Sequence, residues 1–531
     1  MQDMKAVLQK IALSVLSAIL LSLSFPKYDI EIFAWIGLIP LFFIIRQDSI
    51  KNTFLWCWAS GTLFFFITIN WLPETMHNYG GMPLWLSLVV LFVLSLYLGI
   101  YSGVFGVLSG LITKKTAIPL PFVAPALWVS LEYARAHLLS GFPWASLGYS
   151  QYKFLHIIQM ADITSFLGIS FMIVAVNAAL FEVFFFGNPV DGVGKPRLFS
   201  GRPSLSIVSI SAVALMFILS LVYGYHRLDR SYDTPERELS VAVIQGNIPQ
   251  HMKWDRNFKR HTMDIYKRLT YEAGKHTPDL VIWPETAAPF FFQEQSGYSK
   301  EILDLASTEN IFLLFGSPAY ITADNPTPNL LNSAYLISPY RETLSRYDKI
   351  HLVPFGEYVP LSKILFFIEK MVAGIGDFIP GRDYTVMEIP QGKFGVVICY
   401  EVIFPELVRK FTVNGARFMT TITNDAWFGK SSAPYQHFSM VVFRSIENRV
   451  YFARAANTGI SGFISSKGEI LGASDIFTED YIVRKVSPSN EKTFYKLYGD
   501  VFAYASIFFT CLMLVKTTIG GFKDSRGQGV K

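Results

Sequence analysis

The stretch Phe394-Gly395-Val396-Val397-Ile398-Cys399-Tyr400-Glu401-Val402-Ile403-Phe404-Pro405-Glu406 decides how half of this chain folds. Its first six residues form an unbroken apolar run, the pattern of a strand buried on both faces of a parallel sheet. A polar turn follows, and Glu406–Asn414 continues with helical spacing. The same alternation extends in both directions. Upstream, Leu239–Gln245 and Asp279–Trp283 read as buried strands, Asn257–Ala273 and the region near Lys300–Thr308 as helices, and Ile311–Phe315 and Ala334–Ser338 as further strands. Downstream, Arg417–Thr423 reads as a strand, Gln436–Ala455 as a long helix, and Ser461–Ser465 with Glu469–Leu471 as a closing hairpin. Strands alternating with helices predict a layered α/β domain.

Beyond this domain the composition changes. Residues 226–500 hold 30 Lys+Arg and 31 Asp+Glu, whereas the other 256 residues hold only 16 and 10. The whole chain of 531 residues is 51% hydrophobic and 16% charged, against about 25% charged in soluble domains. That excludes a disordered chain. The even charge balance of the domain offers no basic patch, so no nucleic-acid partner is expected. Uncharged apolar runs occupy Ile11–Pro26, Ile32–Ile45, Asn52–Pro73, Tyr79–Thr113, Ala117–Leu131, Ile163–Phe181, Pro203–Tyr225 and Val501–Val515. Spanning a bilayer takes about 20 helical residues, and flanking aromatic or snorkelling residues lengthen the shorter runs. About eight spans are expected, Ile32–Ile45 being the shortest and carrying Pro40.

Basic residues orient these spans. With the N-terminus in the cytoplasm, thirteen Lys and Arg lie on the cytoplasmic side, including Lys114, Lys115, Arg197 and the C-terminal Lys516, Lys523, Arg526 and Lys531; only Lys27, Arg135 and Lys153 lie opposite. Both termini are then cytoplasmic. Residues 1–225 carry seven spans, 226–499 form a domain outside the cytoplasm, and 500–531 carry the last span and a basic tail. The first run lacks a small-x-small cleavage site, so it is expected to stay as a span.

Polar residues gather at three strand ends of the outer domain. These are Trp283-Pro284-Glu285-Thr286, the stretch Tyr347-Asp348-Lys349-Ile350-His351-Leu352-Val353-Pro354-Phe355-Gly356-Glu357-Tyr358-Val359-Pro360, and Cys399-Tyr400-Glu401. A carboxylate, an amine and a thiol suffice for covalent acyl transfer: the thiolate attacks, the carboxylate takes a proton, the ammonium steadies the oxyanion. A cysteine opening a helix also gains thiolate character from the helix dipole. Each residue alone has an ordinary explanation. Glu285 fits a solvated loop, Lys349 a surface pair with Asp348, and Cys399 core packing. Of the three cysteines, Cys57 and Cys511 lie in apolar runs, and Cys399 is alone in the outer domain. An odd thiol there is either buried and inert or kept for reactivity.

In combination and order, the three pieces resemble the nitrilase (carbon–nitrogen hydrolase) superfamily over roughly residues 238–485. The resemblance implies an αββα sandwich with Glu285 as general base, Lys349 as oxyanion-stabilising cation and Cys399 as nucleophile. It also implies Glu357 as a second carboxylate that orients the lysine. With eight apparent spans around it, the layout resembles the membrane-embedded apolipoprotein N-acyltransferase branch. Cys399-Tyr400-Glu401 and Asn424-Asp425-Ala426-Trp427-Phe428-Gly429 carry that likeness, and Trp254 falls where the branch has a functionally important tryptophan. Tyr400 and Glu401 are expected to support the site, though Glu401 equally fits a plain strand-end charge. Trp254, Trp427 and Phe428 are expected to bind substrate.

The implied reaction moves an acyl chain from a phospholipid, through a Cys399 thioester, to the N-terminal amine of a diacylglyceryl-cysteine on a lipoprotein. It implies a monomer in the bacterial inner membrane, its catalytic domain in the periplasm, needing neither cofactor nor metal. The nine histidines show no ligand spacing. Two apolar segments, Pro289–Phe292 and Ile364–Ile368, fit either lipid contact or packing, and Gly374 and Gly376 fit lid hinges. Glu132 and Arg135, three apart in an apolar run, fit either a functional pair or interfacial pairing and snorkelling. Two rivals remain. One is a membrane-anchored amidase for a small soluble substrate, which leaves most spans unexplained. The other is a transporter with a binding module, which lacks intramembrane charges.

Overall fold

The computed structural model describes residues 2–116, 118–185, 203–230, 238–253, 255–321, 328–358 and 378–527. The chain divides into two compact units, one of Met1–Asn70, Leu88–Asp229 and Asp500–Lys531, the other of Trp71–Ser87 and Arg230–Gly499. Trp254, Ile364–Ile368, Gly374 and Gly376 lie outside the described residues.

The first unit is helical. Among the described residues five helices are long and apolar enough to cross a bilayer: Met4–Leu23, Leu84–Thr116, Ala161–Phe184, Ile207–Asp229 and Val501–Ile519. The number is six if Ile50–Thr68 and Leu72–Asn78 form one broken span. The apolar runs suggest eight, and length explains the difference. Ile32–Ile45 breaks into a 3-10 turn, Glu31–Trp35, and a helix of nine residues, Ile39–Gln47, which rises only about 14 Å. The Ala117–Leu131 run falls in the 18-residue helix Leu120–His137, whose last turns carry Glu132, Arg135 and His137.

Four of the five long helices keep under a third of their apolar window buried, exposing residues such as Leu84, Trp85, Leu88 and Phe92. Such surface is stable against lipid rather than water. Ala161–Phe184, 78% buried, is the bundle's centre. Small residues let the helices meet. A Cβ on Gly106 would lie 2.5 Å from Cys57 Sγ, and Cys57 is fully buried, so this thiol is packed and inert. Glu132 and Arg135 are also buried, and both tie down the loop at 142–147. Glu132 Oε1 accepts from the Leu147 N–H at 2.8 Å, and Arg135 Nη1 donates to Trp144 O at 2.6 Å. Of the two readings of this pair, the geometry favours local structural bonding.

The second unit holds the strands β1 (Leu239–Gln245), β2 (Leu280–Ile282), β3 (Phe312–Ile321), β4 (Asn329–Ile337), β5 (Thr343–Asp348), β6 (Val386–Ile389), β7 (Gly392–Ile398), β8 (Phe418–Thr423), β9 (Phe452–Ala456), β10 (Gly462–Ile464), β11 (Ile470–Ala473) and β12 (Asp480–Val486). They make two six-stranded sheets, in the orders β12-β1-β2-β3-β4-β5 and β11-β10-β9-β8-β7-β6. The sheets face each other, β1 meeting β9 and β4 meeting β7. Helices Lys259–Gly274 and Gly297–Glu309 cover one outer face, and Pro405–Val413 and Ala433–Asn448 the other. This is the expected helix–sheet–sheet–helix sandwich.

The central strands run parallel, β1 with β2, β2 with β3, β7 with β8 and β8 with β9. Covered on both faces, they are buried and largely apolar, with Thr420, Thr421 and Thr423 of β8 and Arg454 of β9 as buried polar exceptions. Trp283 anchors one outer layer: its ring stacks on Tyr266 at 5.1 Å, and its Nε1 donates to Thr270 at 2.9 Å. Phe290 and Phe292 join the same core, Phe292 against Phe315 at 4.9 Å. Packing rather than lipid contact therefore accounts for these two rings of the Pro289–Phe292 segment. The expected helix Gln436–Ala455 is the largest local departure. It stops at Asn448, because Arg449 takes a left-handed φ of +51° that caps the helix, and Phe452–Ala456 become the buried strand β9.

Candidate active site

Glu285 follows β2 through Trp283-Pro284. Proline ends the ladder, and the chain turns over the neighbouring strand at Gly316. A Cβ there would lie 2.4 Å from Thr286 N and 2.7 Å from Glu285 Cα, so only glycine lets the turn sit this close. The Glu285 carboxylate is buried and held on both oxygens. Asn332 Nδ2 donates to Oε1 at 2.7 Å, and the Asn424 N–H donates to Oε2 at 2.9 Å. A buried amine, Lys253 Nζ, donates to the Glu285 carbonyl oxygen at 2.8 Å. Burial lowers the Lys253 ammonium to about 8, against the pull of Glu285 and Cys399.

Lys349 comes directly after β5, its backbone N–H bound to Asn332 O at 2.8 Å. Its ammonium, 1% exposed, lies 2.9 Å from Glu357 Oε2 and 3.9 Å from Glu285 Oε1. Burial alone would lower this amine, but Glu357 and then Glu285 outweigh it and hold it well above the usual lysine value. It is a permanent cation. Glu357 is fixed in turn by the Val353 N–H at 2.8 Å and Asn332 Nδ2 at 2.9 Å.

Cys399 opens the 3-10 turn Cys399–Ile403 at the end of β7, with a left-handed φ of +53°. Burial, then the charge of Glu285, pushes its thiol up to about 12, while Lys349 pulls the other way. The expectation of a dipole-stabilised thiolate is therefore corrected. The turn is only five residues long, and loss of solvent beside a carboxylate outweighs it. At rest the sulfur keeps its proton, and a base must remove it as it reacts.

Glu401 is a brace rather than a plain strand-end charge. Fully buried, it accepts from Ile398 N at 2.7 Å, Ile350 N at 2.7 Å, His351 N at 3.0 Å and Tyr347 OH at 2.8 Å. It thereby ties the lysine strand end to the cysteine turn. Burial pushes this carboxyl up to about 7, against those donors and Lys349. Because all four neighbours are donors, the carboxylate is the form the geometry fits. Tyr400 is half-buried, its ring near His351 and Phe404.

Trp427 and Phe428 lie in the turn Asp425–Phe428 just after Asn424. Trp71 packs on Phe428 at 5.0 Å, Tyr79 on Trp427 at 5.4 Å, and Thr75 Oγ1 donates to Trp427 O at 2.9 Å. The Trp71–Ser87 segment, read in sequence as the end of one span and the start of another, thus helps build this unit. The structure brings Glu285, Lys349 and Glu357 into one buried ion cluster, with Cys399 close enough for its thiol to respond to Glu285 and Lys349. It adds Lys253, Asn332 and Asn424, which sequence reasoning did not assign to the site. Among the described residues no three His, Cys, Asp or Glu side chains are grouped as metal ligands. The arrangement is equipped to take a proton from a thiol and stabilise an anion formed at a carbonyl.

Two family matches divide the chain in the same way. Residues 17–179 match the apolipoprotein N-acyltransferase N-terminal domain, and residues 240–494 match the carbon–nitrogen hydrolase family. A Geobacter metallireducens protein named apolipoprotein N-acyltransferase is 42% identical over 500 residues, covering 93% of this chain and 92% of that one. A Pasteurella multocida protein of the same name is 31% identical over 527 residues, covering 94% of each chain. Among solved structures, a Nesterenkonia amidase of the nitrilase superfamily is 18% identical, with a TM-score of 0.38 over 52% of this chain and 99% of that one.

Proposed function

Because the chain belongs to the apolipoprotein N-acyltransferase family, we propose that it moves a fatty acyl chain from a membrane phospholipid, through a thioester on Cys399, to the N-terminal amine of a lipoprotein's diacylglyceryl-cysteine. The observation that supports this most is the buried group itself. A hydrogen-bonded carboxylate and a permanent cation share one site with a thiol that keeps its proton until a base acts.

In the first half-reaction Glu285 takes the Cys399 proton as sulfur attacks the ester carbonyl. Lys349 faces the resulting oxyanion, and Glu357 keeps the ammonium in place. The intermediate collapses, the C–O bond breaks, and Glu285 returns the proton to the leaving lysophospholipid oxygen. The thioester remains. In the second half-reaction the free amine attacks it, Glu285 accepts the amine proton, the C–S bond breaks, and Glu285 returns that proton to the departing sulfur to regenerate the thiol. This is ping-pong acyl transfer.

Thirteen basic residues against three in the loops favour both termini in the cytoplasm of a bacterial inner membrane, with the catalytic unit on the periplasmic side. Trp254, Trp427 and Phe428 are proposed to contact substrate, Tyr400 to support the site and Glu401 to brace it, in a monomer. The amidase alternative is less supported, because the relatives named acyltransferase match nearly the whole chain, helical unit included. The test supplies purified enzyme with phospholipid bearing deuterated acyl chains and a diacylglyceryl-cysteinyl peptide. Deuterated acyl on the peptide's N-terminal amine is expected. Turnover of small amides with no acyl transfer would establish the amidase instead.

A further inference from the structure

A non-glycine residue at φ +53° carries backbone strain, and something must hold it. We propose that His437 is a positioning residue that fixes the Cys399 turn, its Nε2–H donating to the Cys399 carbonyl oxygen while Arg454 and Asp425 hold the imidazole. The inference rests on the acyl-enzyme reading of Cys399.

The partner on the Cys399 side fixes where one ring hydrogen sits. His437 Nε2 lies 3.2 Å from Cys399 O, which can only accept, so Nε2 carries the hydrogen. Its Nδ1 sits between a donor and an acceptor, 3.0 Å from Arg454 Nη2 and 3.1 Å from Asp425 Oδ1, and the Nε2–H stands whichever of the two it meets. The same Arg454 nitrogen donates to Asp425 Oδ2 at 2.7 Å. Asp425 Oδ1 lies 3.1 Å from Nδ1 and takes the Thr423 hydroxyl hydrogen at 2.9 Å. Burial, then the Arg454 charge, lowers the proton affinity of the imidazole, in keeping with a neutral ring.

Position makes this knot more than packing. His437 is 1% exposed and Asp425 and Arg454 are fully buried, so water is not available to replace a lost donor. Asp425 directly follows Asn424, whose N–H holds the Glu285 carboxylate. One buried knot therefore sets nucleophile and base in a common frame.

The test compares His437→Leu with His437→Gln, whose amide keeps an N–H able to reach the carbonyl. The readout is the rate of acyl-adduct formation on Cys399, by rapid quench and intact mass, across phospholipid concentrations. His437→Leu is expected to slow the saturated rate roughly 100-fold while half-saturation moves less than about threefold. His437→Gln is expected to recover to within roughly tenfold of wild type. A Leu variant at the wild-type rate, or Gln and Leu variants equally slow, would overturn the proposal. A wild type with no adduct counts against the acyl-enzyme reading instead. In that case, or if the variants do not fold, ¹⁵N NMR of ¹⁵N-histidine-labelled wild type decides: an Nε2–H tautomer at His437 supports the proposal, and an Nδ1–H tautomer overturns it.

Discussion

Asn332 gives one hydrogen of its side-chain amide to Glu285 Oε1, at 2.7 Å. It gives the other to Glu357 Oε1 at 2.9 Å, so a neutral group separates the base from the carboxylate that serves Lys349. Asn332→Asp replaces two donors with a third negative charge and raises the proton affinity of Glu285. The saturated rate at neutral pH is expected to fall roughly 100-fold or more, with the acid limb of the kcat/KM profile moved to higher pH. An unmoved acid limb would count against Glu285 as the base.

Glu357→Gln removes the nearer anion from a buried ammonium. Lys349 then has Glu285, 3.9 Å away, as its remaining carboxylate partner in the cluster, and it draws the base into an ion pair. Acylation is expected to slow roughly 100-fold with little change in half-saturation, because positioning and not binding is lost. The check is a rate series over phospholipid concentration. A change confined to half-saturation would refute the orienting role.

The thiol state gives a pH prediction. An unfolded cysteine titrates near 8.5, whereas burial and Glu285 place Cys399 at about 12. Its contribution to stability is therefore present below about pH 8.5 and is lost as pH rises toward 12. Iodoacetamide labelling of Cys399 should keep accelerating through pH 10. Glu285→Gln, which removes the second of the three raising causes, should move that rise to lower pH. A labelling plateau below pH 7 would mean a thiolate at rest.

Glu401→Gln sets an amide N–H against backbone donors that need an acceptor. With four donors aimed at one buried carboxylate, at least one loses its partner, costing about 1–3 kcal/mol. Thermal unfolding should show a lowered Tm, with a loss of activity larger than the Tm shift explains, because Glu401 joins the lysine and cysteine segments. A variant of wild-type Tm and rate would return Glu401 to an ordinary charge.

What the sequence discloses and what it hides follow from contact distance along the chain. β1, β2, β7 and β8 are short buried runs rich in apolar and β-branched residues and can be read locally, and Glu285, Lys349 and Cys399 sit at strand ends or in motifs of adjacent residues. β5, with exposed and half-buried positions, and β12, an edge strand whose first six residues are half-buried or exposed, carry no such signal. Asn332 and Asn424 reach Glu285 across 47 and 139 positions, Lys253 across 32, and no local pattern announces such a pairing. The Gln436–Ala455 stretch looks helical to its end because the left-handed Arg449 and the burial of Phe452–Ala456 are decided by the sheet they join. In the helical unit, apolar runs mark segments but not their lengths, so runs that fold as short helices are counted beside the long ones.

The central claim is a covalent acyl-enzyme on Cys399, and intact-protein mass spectrometry after incubation with phospholipid tests it most directly. An added fatty-acyl mass is expected in wild type, absent in Cys399→Ala, and lost when a diacylglyceryl-cysteinyl peptide is supplied. The absence of any acyl adduct in wild type, even when low temperature slows turnover, would contradict it.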